Sequence, residues 1–227
     1  MRTIQKSLEP KELTYLRESW GINANYDRLR DDDEVTNIVI SQLLTDQGRL
    51  CAYTGLRITE DGCHIEHIKP QNYCEHGEDV TYNNLLACYP APNQKKGTQF
   101  GAVKKDNWPS SAETYQFVSP LSKSCEERFI FNLRGEISTL PGDTAAATTV
   151  KKLRLDHPIL NDYRKATIQA IIGRNNELSI SEARKKLHRL ESQKSGQLDP
   201  FCFVLVYALR KHIKRLEAIA NSKRERK

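Results

Sequence analysis

No stretch of this 227-residue chain approaches the ~20 consecutive apolar residues that a bilayer-spanning helix needs, and its mean hydropathy is −0.65. The opening residues, Met1-Arg-Thr-Ile-Gln-Lys-Ser7, lack the apolar core of a secretory signal. A cytoplasmic protein without membrane contact is the expectation. Cysteine is sparse: the six thiols, at 51, 63, 74, 88, 125 and 202, are too scattered for a disulfide scaffold, so they are expected reduced. Also missing are internal repeats, a helix-turn-helix, a zinc finger and an ordered set of stacking aromatics, so base readout is not predicted. What remains, 38% hydrophobic and 28% charged residues, is enough for a packed core and argues against full disorder.

Charge is unevenly distributed. Up to Val150 there are 16 basic and 21 acidic residues, a net −5; beyond it there are 19 basic and 8 acidic, a net +11. A basic half suits phosphate backbones, which release counterions when neutralised, or an acidic partner protein; solvated helix faces are the plain alternative. The basic run Lys223-Arg-Glu-Arg-Lys227 reads as a frayed tail.

Three regions follow from the patterning. Residues 1–48 read as an extended arm with one short helix, then a helix from Glu34 in which Val35, Ile38, Val39, Leu43 and Leu44 recur at helical spacing and Gly48 marks the stop. Residues 49–140 lose that period: Thr54-Gly55, Asp61-Gly62, Pro70, His76-Gly77, Pro90, Pro92 and Gly97 break short apolar segments, as in a loop-rich hairpin region. Phe129–Ile137, around Gly135, suggests a hairpin that closes the small sheet. Residues 141–227 begin with a linker or helix entrance and continue as helices over about 159–171, 180–190 and 201–219, with Ser179 and Asp199-Pro200 as N-terminal caps for the last two.

The chemistry-bearing segment is Cys63-His-Ile-Glu-His-Ile-Lys-Pro70, two imidazoles and a carboxylate within four residues. The spacing His-x-Glu-His, with Pro70 against a helix, is not the zinc-protease pattern. On a strand His64 and Glu66 share one face and His67 takes the other. Glu66 and His67 therefore act together only where the strand bends or ends, which Pro70 permits. A pair of surface histidines on a hairpin is the bland alternative. Against it stand Thr81-Tyr-Asn-Asn-Leu-Leu-Ala-Cys88 and Asn93-Gln-Lys-Lys-Gly97 downstream.

Taken together, residues 51–97 resemble the HNH endonuclease motif: an acidic residue and His followed by Pro, an Asn-Leu step, and a final Asn before a Lys- and Gly-containing turn. The resemblance implies Glu66 as the acidic metal ligand, His67 as the general base, Asn84 as the Asn that fixes the loop, Asn93 as the second metal ligand, and Lys95 and Lys96 against phosphate. His64 joins them by sharing the metal, positioning phosphate or bonding the loop. The implied fold is α+β, a small ββα-metal core embedded in a mostly helical chain. A wider likeness, through Ile4-Gln-Lys-Ser7, Gln47-Gly-Arg-Leu-Cys-Ala-Tyr53, His64-Ile-Glu-His67, Thr149-Val-Lys-Lys-Leu-Arg-Leu, Pro158-Ile-Leu and Arg164, resembles the PtuB family of Septu and retron anti-phage systems. That likeness implies a PtuA-like ABC-type ATPase partner and, in retron versions, a reverse transcriptase and its RNA–DNA product.

Many HNH proteins carry two cysteine pairs that clamp a structural zinc. Here Thr54 stands where the partner of Cys51 would be, and no second thiol follows Cys88, so structural zinc is not expected and the thiols are read as core packing. Hydrolysis of a phosphodiester needs a base that is neutral near pH 7, which an imidazole supplies, and relief of charge on the phosphate, which a hard ion such as Mg²⁺ or Mn²⁺ supplies. The expected function is metal-dependent cleavage of DNA by an anti-phage effector acting with an ATPase subunit. Two alternatives stay open: an RNA endonuclease, with transfer RNA as target, and a non-catalytic HNH-like binding module. Lys95, Lys96, Lys104, Lys105 and the basic half are the expected backbone contacts.

Overall fold

In the computed structural model the described residues are 1–193 and 196–224, so the tail beyond Arg224 lies outside them. The first ten residues run extended, with Met1 and Ile4 buried and the Ile4 amide donating to the Pro120 carbonyl at 2.8 Å. The sequence suggested one short helix before residue 34, but two form: α1 (Lys11–Trp20) and α2 (Tyr26–Arg30). Leu13 and Leu29 anchor them in the core, and the Asn25 side chain caps α2 by accepting the Arg28 amide. In α3 (Asp33–Asp46), Asp32 caps the first turn and Val35, Val39, Leu43 and Leu44 are buried at the expected spacing.

Strand β1 (His64–His67) pairs antiparallel with β2 (Leu85–Cys88), placing His64 opposite Cys88 and His67 opposite Leu85. The buried Gln47 side chain flanks this ribbon. Its Nε2 donates to the Leu50 and Ala87 carbonyls and its Oε1 accepts the Ala87 amide, each at 2.8 Å, so a carboxamide does what a neighbouring strand would do. After β2 the chain makes a 3₁₀ turn, Pro92–Gly97, then the short helix α4 (Ala102–Lys105).

The hairpin expected around Gly135 is present as β3 (Phe129–Phe131) and β4 (Ile137–Thr139), but it forms a separate two-stranded sheet and does not close the first. It packs instead on the C-terminal helices. Gly135, at φ +76°, sits so close to that support that a Cβ there would lie 2.1 Å from the Asn161 carbonyl oxygen. The buried Arg164 donates to the Gly135 and Leu155 carbonyls at 2.6 and 2.8 Å.

The segment read as a linker or helix entrance is helix α5 (Thr144–Lys152), capped by Asp143. It leads to α6 (Pro158–Ile172), α7 (Ile180–Ser192) and α8 (Cys202–Arg224). Ser179 and Glu182 form the capping box of α7. The carboxylate of Asp199 pairs with Arg189 at 2.8 Å, and α8 begins only at Cys202. One apolar core runs from Leu13 and Leu43 through Leu86 and Leu153 to Leu209. The architecture is α+β, helices around two small antiparallel sheets, and no described helix is long and apolar enough to cross a membrane.

Candidate active site

The short strand β1 fixes the site. His64 and Glu66 sit two residues apart on one face, and the Nε2 of His64 is 3.8 Å from Oε2 of Glu66. The Nδ1 of His64 lies 2.5 Å from the Pro90 carbonyl oxygen, and a carbonyl only accepts, so Nδ1 carries the hydrogen and Nε2 of the neutral ring keeps a lone pair. Two donors thus converge without bonding each other. Their separation is one that two ligands of a single divalent ion span at bond lengths of about 2.0–2.2 Å.

His67 ends the strand. Its Nε2 is 2.9 Å from the Asp79 carbonyl oxygen and its ring meets that of Tyr26 edge-on at 4.5 Å. By the same accounting Nε2 carries the hydrogen and Nδ1 keeps the lone pair. Burial pushes the imidazole pKa below its ordinary 6.5, against the opposing pull of the Asp79 hydrogen bond and the Glu66 charge. The ring is neutral at pH 7, the form a general base requires.

Asn84 holds the loop between the strands. Its Oδ1 accepts the Lys69 amide at 2.7 Å, and its Nδ2 donates to the carbonyls of Lys69 at 3.1 Å and Glu78 at 3.3 Å and to the Cys74 sulfur at 3.4 Å. Its bonds are therefore structural. The loop in turn carries the Asp79 carbonyl that orients His67, and Asp79 also accepts the Tyr26 amide at 2.8 Å, which ties α2 to the site.

A cavity of about 270 Å³ opens here, lined by residues that include His64, Glu66, His67, Lys95, Lys105 and Asn107. Lys95 reaches it from the Pro92–Gly97 turn; Asn93 and Lys96 are exposed and do not line it. The turn explains the difference. With three residues per turn, positions 93 and 96 eclipse each other and 95 occupies another row. The structure thus brings His64, Glu66, His67 and Lys95 together and leaves Asn93 and Lys96 on a solvent-facing row.

Lys105 is placed by the sequence among the lysines expected to contact the nucleic-acid backbone. It is instead 2% exposed, with Nζ donating to the His67 carbonyl at 2.7 Å and lying 3.1 Å from Oε1 of Glu66. An isolated buried ammonium is costly, and these two partners are what make its burial tolerable. No spacing rule places it beside Glu66, because α4 follows the motif and reaches the site through tertiary packing.

Cys51 and Cys88, each left without its clamp partner, meet in the core: Cys88 bonds to Cys51, whose sulfur also accepts the Tyr89 amide at 3.3 Å. Burial drives the Cys51 thiol up, but hydrogen bonds from Cys88 and Thr54 outweigh it and bring the pKa down to about 6. Cys63 and Cys74 bond elsewhere, to the carbonyls of Glu60 and Lys69. Among the described residues no three His, Cys, Asp or Glu side chains gather as a metal-binding group.

No protein-family model matches the chain. It is similar to a curated protein of Vibrio cholerae serotype O1 biovar El Tor described as "Retron Vc95 putative HNH endonuclease". The two are 31% identical over 154 residues, covering 63% of this chain and 69% of that protein.

Proposed function

The chain belongs to the HNH endonuclease family of that Vibrio cholerae retron protein, and on this premise we propose that it hydrolyses phosphodiester bonds of nucleic acid, DNA in the first instance, with a divalent metal ion, as the effector of an anti-phage defence system. The observation that carries the proposal is the convergence of His64 Nε2 and Glu66 Oε2, both with free lone pairs, in a cavity that His67 also lines.

Two protein donors leave most of an ion's shell to waters and a phosphate oxygen of the substrate, as Mg²⁺ and Mn²⁺ keep theirs, with the Glu66 carboxylate as the hard oxygen donor. Glu66 and His64 would hold the ion; Asn93, the second ligand that the HNH resemblance implies, stands outside the cavity on the adjoining turn and would reach the ion only if that turn moved. When bound, the ion relieves the negative charge that develops on the phosphate and the leaving oxygen. His67 takes the proton of the attacking water at its Nδ1, held in the right tautomer by the Asp79 carbonyl. Lys95, at the cavity mouth, attracts the phosphate backbone without reading sequence. Asn84 acts through the loop it fastens.

The nearer likeness to PtuB extends the proposal to a PtuA-like ABC-type ATPase as partner, joined in a retron setting by a reverse transcriptase and its RNA–DNA product. The test compares plasmid nicking and transfer-RNA cleavage by the wild-type chain, with and without the ATPase, in Mg²⁺ or EDTA, beside His67→Ala and Glu66→Gln. Mg²⁺-dependent nicking lost in both variants is the expected result. Cleavage of transfer RNA alone moves the substrate to RNA, and cleavage undiminished in His67→Ala overturns the catalytic assignment.

A further inference from the structure

We propose that Lys105 is a tethered cation that competes with the divalent ion for Glu66, so that the chain itself limits how tightly its site takes metal before nucleic acid arrives. The proposal rests on Glu66 being a metal ligand, as set out above.

Three observations point to it. The ammonium lies 3.1 Å from Oε1 of Glu66, the oxygen turned away from His64, while Oε2 faces His64. The Lys105 side chain is 1% exposed, so water does little to dilute its charge, in contrast to Lys95 at the rim. Its position is fixed at both ends: Nζ is anchored on the His67 carbonyl, and α4 is held at its start by the Gly101 amide on the Leu153 carbonyl at 2.7 Å. Asp106 follows with φ +47°, a left-handed conformation uncommon for a residue with a side chain, and this ends the helix directly after the lysine.

A carboxylate so paired carries little net charge toward an incoming ion. That ion also meets a fixed positive charge within a few ångströms in a poorly screened site, and like charges there repel strongly. The protein's other donor, the His64 ring, brings no negative charge to offset this. A substrate phosphate does, because it brings negative charge to both the ion and the ammonium. Metal and nucleic acid therefore strengthen each other's binding by the same factor, as linkage requires. The affinity set by Lys105 keeps the free site largely without metal at low ion concentration.

The experiment is a Mn²⁺ titration of the full chain without nucleic acid, followed by calorimetry and electron paramagnetic resonance, on wild type, Lys105→Gln, Lys105→Arg and Glu66→Gln. The glutamine amide can still donate to the His67 carbonyl while removing the charge; arginine keeps the charge. Lys105→Gln is expected to bind Mn²⁺ on the order of tenfold tighter or more, with Lys105→Arg close to wild type and Glu66→Gln without binding. Equal or weaker binding by Lys105→Gln, with binding still lost in Glu66→Gln, overturns the competition and leaves the nuclease assignment standing. Binding retained in Glu66→Gln removes Glu66 as ligand and both proposals with it. If Lys105→Gln does not fold, ¹⁵N-lysine spectra of the wild type decide: the Lys105 ammonium signal must move as Mg²⁺ is added, and a signal that stays in place refutes the proposal.

Discussion

Asn84→Ala tests the loop on which the orientation of His67 depends. Two short bonds clasp Lys69 in both directions, at 2.7 and 3.1 Å, and two longer contacts reach the Glu78 carbonyl and the Cys74 sulfur. At about 1 kcal/mol for each short bond, with less for the long ones and a further penalty for leaving the Lys69 amide unpartnered, the loss comes to about 2–4 kcal/mol. In a chain of this size that corresponds to a melting temperature lower by roughly 5–10 °C. The assay is urea unfolding followed by tryptophan fluorescence, with thermal melting as a second measure. Asn84→Asp sharpens it, because the acid keeps the acceptor for Lys69 but turns an oxygen toward the Lys69 and Glu78 carbonyls, and it should cost at least as much as alanine. Cleavage under conditions where the variants are still folded should fall too, since the Asp79 carbonyl that orients His67 rides on this loop. A stability within ~0.5 kcal/mol of wild type for either variant would refute the assignment of Asn84 as the loop's fastening.

His67→Ala should slow cleavage by about 10²–10⁴ and also destabilise the fold by about 1–3 kcal/mol, because it removes a buried ring and orphans the Asp79 carbonyl; single-turnover rates and denaturant midpoints check the two effects separately. Gly135→Ala should cost about 3 kcal/mol or more, read from the urea midpoint, because a Cβ there meets the α6 backbone at 2.1 Å and the φ of +76° disfavours a side chain. Lys6, with its ammonium on the Leu85 carbonyl and over the Tyr82 ring, has its pKa pushed down to about 7 by burial. Between that value and the 10.5 of the unfolded chain the unfolded state binds more protons, so stability should rise with pH. The rise should be about 1–2 kcal/mol from pH 7 to pH 9, allowing for partial exposure and nearby Asp46, and melts of Lys6→Met across that range should be flatter.

The strand bearing His64, Glu66 and His67 was legible because alternation, Pro70 and the downstream Asn-Leu step are local signals. So were α3, the N-cap at Ser179 and the helices after Pro158, where the apolar period is long. Lys105 and Gln47 were not. Each is a polar residue whose burial depends on partners distant in sequence, Glu66 and the His67 carbonyl for one, Ala87 for the other, and composition assigns such residues to the surface. The hairpin at Gly135 was readable from its turn, but its separation from the first sheet was not, because strand pairing across a long connection leaves no local trace. The rows of the Pro92–Gly97 turn were likewise hidden, since an α-turn and a 3₁₀ turn share the same residue preferences but aim Asn93 and Lys95 differently.

The carboxamide of Gln47 beside β2 bears on how the molecule can meet other chains. A two-stranded ribbon ordinarily leaves backbone groups along its rim as a template for a foreign strand. Here Gln47 takes both the Ala87 amide and its carbonyl, and Lys6 takes the carbonyl of Leu85, so that margin of the ribbon is already spoken for by the protein's own side chains. Addition of a foreign strand at that margin, and self-templated stacking there, are closed off.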